Sequence, residues 1–269
     1  MTCAISWLCL LSIIGIDGFL GKTALTDKPM PLLFLAMCAG PTISGLVFIY
    51  SMEGKIGLKS LASRLLKWKI EFKFYLIALF IAPVLILLSY FSLSFFHSKF
   101  IPTIFSSNDV MMLVVGGIVG GFVAGIFEEL GWTGFVTPKL RTKYSVVISG
   151  LLLGIVWGIW HFPLFMRQDP AGQIPLIVLL MASLVAHLPA FRVLMTWVYD
   201  RTQSLLIAIL MHMSFTASTL IFQPAINSGV DIIISNLTLT VLLYLAIIIL
   251  NTLTKGQVFR GVLRNEIQP

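Results

Sequence analysis

Two carboxylates, Glu128 and Glu129, stand side by side in the apolar stretch GIFEELGW (residues 125–132). No lysine or arginine lies between Lys99 and Lys139 to neutralise them. His161 and His212 stand in other apolar runs. A charge at the centre of a bilayer costs roughly 2.5–3.5 kcal/mol on insertion scales, so ionisable residues placed there are functional candidates. Two neighbouring carboxylates in a dry site do not both ionise easily, and a pair sharing one proton suits general acid–base work. Two histidines on other helices add groups that orient water, donate to an oxyanion or bind a metal. HExxH and GxSxG are absent, and no pair of membrane aspartates is available. Hydrolysis by this chain would therefore fall to the glutamates and histidines.

The remaining polar groups in apolar surroundings have simpler readings. Asp17 and His97 fall at the ends of apolar runs and read as interfacial. His187, beside Pro189, reads as a structural group bonded to backbone. Asp231 and Asn236 read as helix-start and packing residues.

These residues sit in a chain of 269 residues that is 58% hydrophobic and 11% charged, where soluble domains average about 25% charged. Apolar runs of around 20 residues recur along its length, the pattern of a polytopic membrane protein. Candidate spans fall at about 3–20, 30–51, 74–96, 110–136, 146–165, 174–198, 204–223 and 231–250. A backbone that crosses lipid must satisfy its own hydrogen bonds, so the spans are expected to be helices. The expected architecture is all-α, a polytopic membrane protein of about eight transmembrane helices with a catalytic cavity inside the bundle. It is read as a single membrane domain over residues 1–269. The first run has no lysine or arginine before Lys22 and is read as a retained span, not a signal peptide.

Charge distribution orients these spans. The net charge is +7, but the basic residues lie between apolar runs, and no zinc-finger spacing or basic aromatic stripe points to nucleic acid. Counted on eight spans, one side of the membrane receives 14 lysines and arginines and the other 4, with two of the 14 assigned to the connection after span six. That places both termini in the cytoplasm. Six of the positives fall in SMEGKIGLKSLASRLLKWKIEFK (51–73), where Leu58, Leu61, Leu65 and Leu66 recur at helical spacing. This segment reads either as a basic amphipathic helix on the inner leaflet or as a solvated linker. Cys3, Cys9 and Cys38 are too few and too dispersed for a disulfide framework.

Two stripes of glycine bear on how the site is held. Gly117, Gly121 and Gly125 are spaced by four, and the same step reaches Glu129 and Thr133. Gly150, Gly154 and Gly158 repeat the device in span five, ahead of His161. Such faces allow helices to approach closely in lipid. The expectation is that spans four and five pack on each other, with the glutamates and His161 near the contact. At about 1.5 Å per residue, Glu128 lies roughly 14 Å from the inner end of its helix and His212 roughly 12 Å, whereas His161 lies roughly 22 Å from Val146. His161 is therefore too deep by most of two turns.

The residues together resemble the CAAX-protease and bacteriocin-processing family of intramembrane endopeptidases, which includes the type II CAAX prenyl endopeptidases. The family motif EExxxR is similar to Glu128-Glu129-Leu130-Gly131-Trp132-Thr133. A second motif, a histidine four residues after an aromatic, is similar to Trp157-Gly158-Ile159-Trp160-His161. The third, His-x-x-x-Asn, is similar to His212-Met213-Ser214-Phe215-Thr216, and FRVLMTWVYDRTQSLL (191–206) resembles the usual lead-in to it. The motif region covers about 110–222.

The resemblance implies intramembrane proteolysis of membrane-associated or prenylated peptides; the short loops read as those of a protein of a prokaryotic plasma membrane. Glu128 would activate water with Glu129 in support, His161 and His212 would hold the water or the oxyanion, and Thr216 would add a donor. It equally allows a zinc ion on Glu128, His161 and His212 with Glu129 as base. Two departures stand out: Thr133 replaces the motif arginine, which leaves the glutamates without that charge partner, and Thr216 replaces asparagine. They motivate an alternative, a catalytically weak or inactive peptide-binding member serving as an immunity or scaffold protein. A proton-coupled transporter using the carboxylate pair is a third reading, without an inverted repeat to support it.

Overall fold

The computed structural model of the chain describes residues 1–20, 30–165, 178, 181, 186–226 and 228–259. The expectation of an all-α polytopic membrane protein is met. Helix α1 spans Thr2–Phe19, α2 Met30–Leu65, α3 Phe72–Ser94 and α4 Val110–Gly131. A π turn, Trp132–Val136, leads from α4 into α5, Thr137–Arg141. Then follow α6 (Val146–Trp160), the short α7 (Phe162–Phe165), α8 (His187–Thr202), α9 (Leu205–Ile221) and α10 (Gly229–Leu253). Among the described residues the only β pairing is an isolated bridge between Pro102 and Pro224.

Five of the helical stretches are long and apolar enough to cross a membrane, and Val146–Trp160 and Leu205–Ile221 are shorter apolar helices. These match seven of the eight expected spans to within a few residues, except that α2 runs on past 51. The first part of the sixth, 174–186, lies mostly outside the described residues, and its remainder is α8. Unlike its neighbours, α8 is surrounded by protein: every residue from His187 to Tyr199 is buried. It packs along α6 and touches α3, α9 and α10.

The stretch read as amphipathic helix or linker is helix as far as Leu65. Gly54 breaks α2 with φ 60° and ψ −148°, a left-handed conformation that suits glycine, and the chain then continues as helix in a new direction. Beyond the break, Leu61 packs with Ile49, Leu205 and Ile209. Arg64 donates to the Tyr199 hydroxyl (2.7 Å) and to the Gly134 carbonyl (2.8 Å). Ile56, Leu66, Trp68 and Phe72 remain exposed on the same segment. The basic segment is thus bound to the end of the bundle through one face.

The glycine stripes do what their spacing predicts, but on different partners. A β-carbon at Gly117, Gly121 or Gly125 would come within 2.4–2.7 Å of Ile221, the Met213 carbonyl or the Ile209 carbonyl, all on α9. A β-carbon at Gly150 or Gly154 would sit 2.5 Å or 2.3 Å from the α-carbon of Val193 or Pro189, on α8. Span four therefore packs on span seven and span five on span six, which corrects the expected contact between spans four and five. The stripe reports that a backbone comes close, not whose. Gly131, at the end of α4, meets Pro41 of α2 in the same way.

Close approach at Gly121 makes a clear prediction. Gly121→Val should lower the unfolding temperature in detergent, by the equivalent of about 1–3 kcal/mol for an overpacked contact. Gly116→Ala, whose β-carbon would meet nothing within 4 Å, should unfold with the wild type.

Candidate active site

Helix α4 delivers both glutamates in its last turn, and both are buried, at 3% and 0% exposure for Glu128 and Glu129. Adjacent helical positions are about 100° apart at 3.6 residues per turn, so the two carboxylates face different surroundings. Glu129 turns into protein. Its Oε1 accepts from Arg192 Nη1 (2.9 Å) and pairs with His212 Nδ1 (2.6 Å). Its Oε2 accepts from the same Arg192 nitrogen (2.9 Å) and from the Thr133 hydroxyl. One carboxylate thereby ties α4 to α8, α9 and the π turn. Thr137, at the far side of that turn, donates from its hydroxyl to the Trp132 carbonyl at 3.0 Å, five residues back, and so closes the wide turn.

Glu128 faces a cavity. Trp157 Nε1 donates to its Oε2 at 2.8 Å, and His212 Nε2 stands 3.9 Å from the same oxygen, beyond direct hydrogen-bond reach. An ionised Glu129 only accepts, so His212 carries its hydrogen on Nδ1, which leaves Nε2 directed at Glu128. Trp157 is the hub of the arrangement. Besides its bond to Glu128, the Arg192 guanidinium lies 4.3 Å from its ring centroid, and the His161 and His212 rings meet it edge-on at 5.2 and 5.3 Å.

His161 caps the end of α6. Its Nδ1 lies 2.8 Å from the Trp157 carbonyl, which can only accept, so Nδ1 carries the hydrogen and Nε2 is the acceptor. The mismatch in depth expected for His161 has a plain cause. Trp157, one turn nearer the Val146 end of α6 at roughly 16 Å from it, is the residue that bonds Glu128, and His161 lines the cavity one turn further along. The cavity measures about 530 Å³ and is walled by Glu128, His161, His212 and Thr216 together with His187 and Asn236. That volume is in the range of ligand pockets, roughly 300–1,000 Å³. Four of the five expected site residues thus share one cavity, and the fifth, Glu129, stands behind it. His187, read as structural, also lines the cavity, with its ring tilted against Phe215 at 6.3 Å between centroids. Asp231 forms an ion pair with Lys99 at 2.7 Å.

The residue that sequence reasoning missed is Arg192. It is 0% exposed, in the middle of α8, with Nε and Nη2 making no hydrogen bond among the described residues. Counting it among the loop positives was an error, and without it the charge asymmetry is 13 to 4. The available signal was an arginine inside an apolar run, which deserves the scrutiny given to the glutamates. Its place on Glu129 also corrects the expectation that Thr133 leaves the glutamates without a charge partner. The threonine hydroxyl fills one acceptor site, and the cation comes from another helix.

Among the described residues no three His, Cys, Asp or Glu side chains converge as a metal-binding group.

This geometry lies in a stretch with known relatives. Residues 107–218 match the family model for Rce1-like proteins, described as type II CAAX prenyl endopeptidase Rce1-like. A 42-residue part of the chain is 48% identical to "CAAX prenyl protease 2" from Methanococcus maripaludis, and the match covers 16% of this chain and 16% of the relative. The chain therefore spans about a sixth of that relative's length. The matched stretch contains Glu128, Glu129, Trp157, His161, Arg192, His212 and Thr216, and so carries every residue of the cluster.

Removing one partner of a buried ion pair leaves the other uncompensated and costs about 3–5 kcal/mol. Arg192→Met should therefore destabilise the protein by that order in denaturant unfolding. Adding Glu129→Gln to it should restore part of the loss, because the stranded charge is then gone.

Proposed function

We propose that this chain is an intramembrane endopeptidase that cleaves membrane-associated or lipidated peptides with water activated by Glu128. The observation that carries this reading is the unequal state of the two carboxylates. Glu129 has its acceptor sites filled by Arg192, His212 and Thr133. Glu128 has one bond, from Trp157, and faces the cavity. A carboxylate acting as general base needs an accessible lone pair, and of the two glutamates Glu128 is the one that has it.

In the proposed reaction a water held between Glu128 and His212 Nε2 gives a proton to Glu128 as its oxygen attacks the scissile carbonyl carbon. The Thr216 hydroxyl, one turn beyond His212 on the same wall, donates to the oxyanion. His161 Nε2 orients water from the outer side, and either imidazole that gains a proton becomes a further donor. Collapse of the tetrahedral intermediate breaks the C–N bond, and Glu128 returns its proton to the leaving amine. Glu129 does not touch substrate. It fixes the tautomer and position of His212, as Trp157 fixes the Glu128 carboxylate. No step is routed through a metal.

The reading draws on the Rce1-like stretch for its reaction class, and prenylated peptides are one substrate possibility within it. The charge asymmetry supports placing both termini and the basic end of the bundle in the cytoplasm. The peptide-binding alternative rested on the absent motif arginine and asparagine; Arg192 supplies a cation to Glu129, which weakens the first motive, and Thr216 in place of asparagine leaves the second standing.

Purified protein with a fluorogenic membrane-peptide reporter tests the proposal. Glu128→Gln keeps the bond from Trp157 and should lower cleavage at least about 100-fold, the lower range for general acid–base catalysis, without a change in unfolding temperature. Full activity in that variant would overturn the reading. Activity should survive a zinc chelator, and its loss, reversed by added zinc, would favour the metalloprotease alternative. Capture of peptides on the Glu128→Gln variant should identify the substrate.

A further inference from the structure

Helix α1 lies outside the matched stretch and gives little of itself to the bundle: its buried residues are Ser6, Leu10 and Gly18. Ser6 is the one with a polar side chain, at 0% exposure. In lipid a helix gains nothing hydrophobic by docking, so its hydrogen bonds carry much of the attachment. Here they converge on one residue of another helix. Trp160 Nε1 donates to the Ser6 hydroxyl oxygen at 2.8 Å, and the Ser6 hydroxyl donates in turn to the Met37 carbonyl of α2. Trp7 Nε1 donates to the Trp160 carbonyl at 2.9 Å. α1 can come this close because Gly40 of α2 has no side chain; a β-carbon there would stand 2.4 Å from the Thr2 carbonyl oxygen.

Trp160 is the last residue of α6, and the next is His161. The carbonyls of a final helical turn have no intrahelical donor, and the Trp7 indole supplies one where His161 begins. The Trp160 ring stands edge-on to the His161 imidazole at 4.5 Å and to the Trp132 indole of the π turn at 6.1 Å. Because Ser6 holds that ring, the wall against which the imidazole rests is fixed. The Trp7 ring also lies 6.1 Å from the ring of Phe162, the residue after His161. Trp7 thus meets both chain neighbours of His161, whose own Nδ1 is held by the Trp157 carbonyl at 2.8 Å.

We infer that Ser6 and Trp7 are positioning residues for the reaction: through Trp160 they fix the end of α6 and so aim His161 Nε2 into the cavity. Neither is a wall residue of the cavity among the described residues, so both act through Trp160. Bonds to α2 alone would suffice to dock α1, yet both residues bond the chain neighbour of a site histidine. The functional unit therefore extends beyond residues 107–218 to the first helix. This inference rests on the proposed protease reading for what His161 does.

Trp7→Phe keeps a ring and removes the N–H. In purified full-length protein it should lower kcat about tenfold, within the roughly 100-fold that a misplacement of about 1 Å can cost. KM should not change, the mark of an interaction that counts only in the transition state. Ser6→Ala should do the same, and combined with Trp160→Phe it should be no slower than Trp160→Phe alone, since both remove one bond. Leu10→Ala is the control. Leu10 is buried one turn beyond Ser6, and its truncation takes packing from α1 without a hydrogen bond, so the unfolding temperature should fall while kcat stays as it was. Nitrogen NMR of protein with isotope-labelled histidines reads the imidazole without requiring cleavage. The His161 signal, assigned by its loss in His161→Gln, should show the Nδ1-protonated form in wild type and a mixture of both tautomers in Trp7→Phe. Wild-type kcat in Trp7→Phe, or an unchanged His161 signal, would overturn the inference and leave α1 as a docked helix only. Wild-type protein whose His161 signal responds as expected, yet which cleaves no peptide, would instead count against the protease reading.

Discussion

The ion pair between Glu129 and Arg192 sets the terms for the rest of the bundle. Both side chains are fully buried, and taking two charges out of water costs several kcal/mol each unless geometry and further hydrogen bonds repay it. The repayment comes from four directions. Arg192 approaches both carboxylate oxygens, the Thr133 hydroxyl and His212 Nδ1 complete their coordination, and the Trp157 ring faces the guanidinium. None of this is available to a helix exposed to lipid, which explains why α8 is the helix enclosed by protein along its length. A cation at that position requires α4, α6 and α9 around it.

Enclosure in turn demands short distances between helices, and the glycines provide them. α4 lies on α9 with backbone atoms where side chains would otherwise stand, and α6 lies on α8 in the same way. The lipid tails give no hydrophobic incentive for such contacts, so packing and hydrogen bonds carry association. The two glycine faces thus form two tight pairs, α4 with α9 and α6 with α8, and the polar cluster joins the pairs. Glu129 and His212 belong to the first pair, Trp157 and Arg192 to the second. The cluster is both the candidate site and the link between the halves of the core.

Much of this was legible in the sequence. Hydropathy located the spans because lipid imposes both length and apolarity on them. Glu128, Glu129, His161 and His212 stood out because ionisable groups are rare there. What stayed hidden has a common physical cause: sequence records periodicity along a helix but not the identity of its neighbour. The stripe at Gly117, Gly121 and Gly125 predicted a close approach and assigned it to the wrong helix. Arg192 looked like a loop charge because its shield comes from other segments. The depth of His161 looked anomalous because a single plane was assumed for a cavity that runs along the helices.

The same reasoning accounts for the adjacency of the two glutamates. Under the proposed reaction, a base that faces the cavity cannot also be held by a full set of protein donors, because each bond takes a lone pair from the chemistry. A carboxylate that organises the histidine and the arginine needs those bonds filled. Neighbouring positions on one helical turn solve both demands, since a step of about 100° turns one side chain into the packed interior and leaves the other toward open space. Separating them by a full turn would place both on one face, in one environment, where like charges compete. The doublet is the shortest sequence that puts a saturated carboxylate and an available one at the same depth.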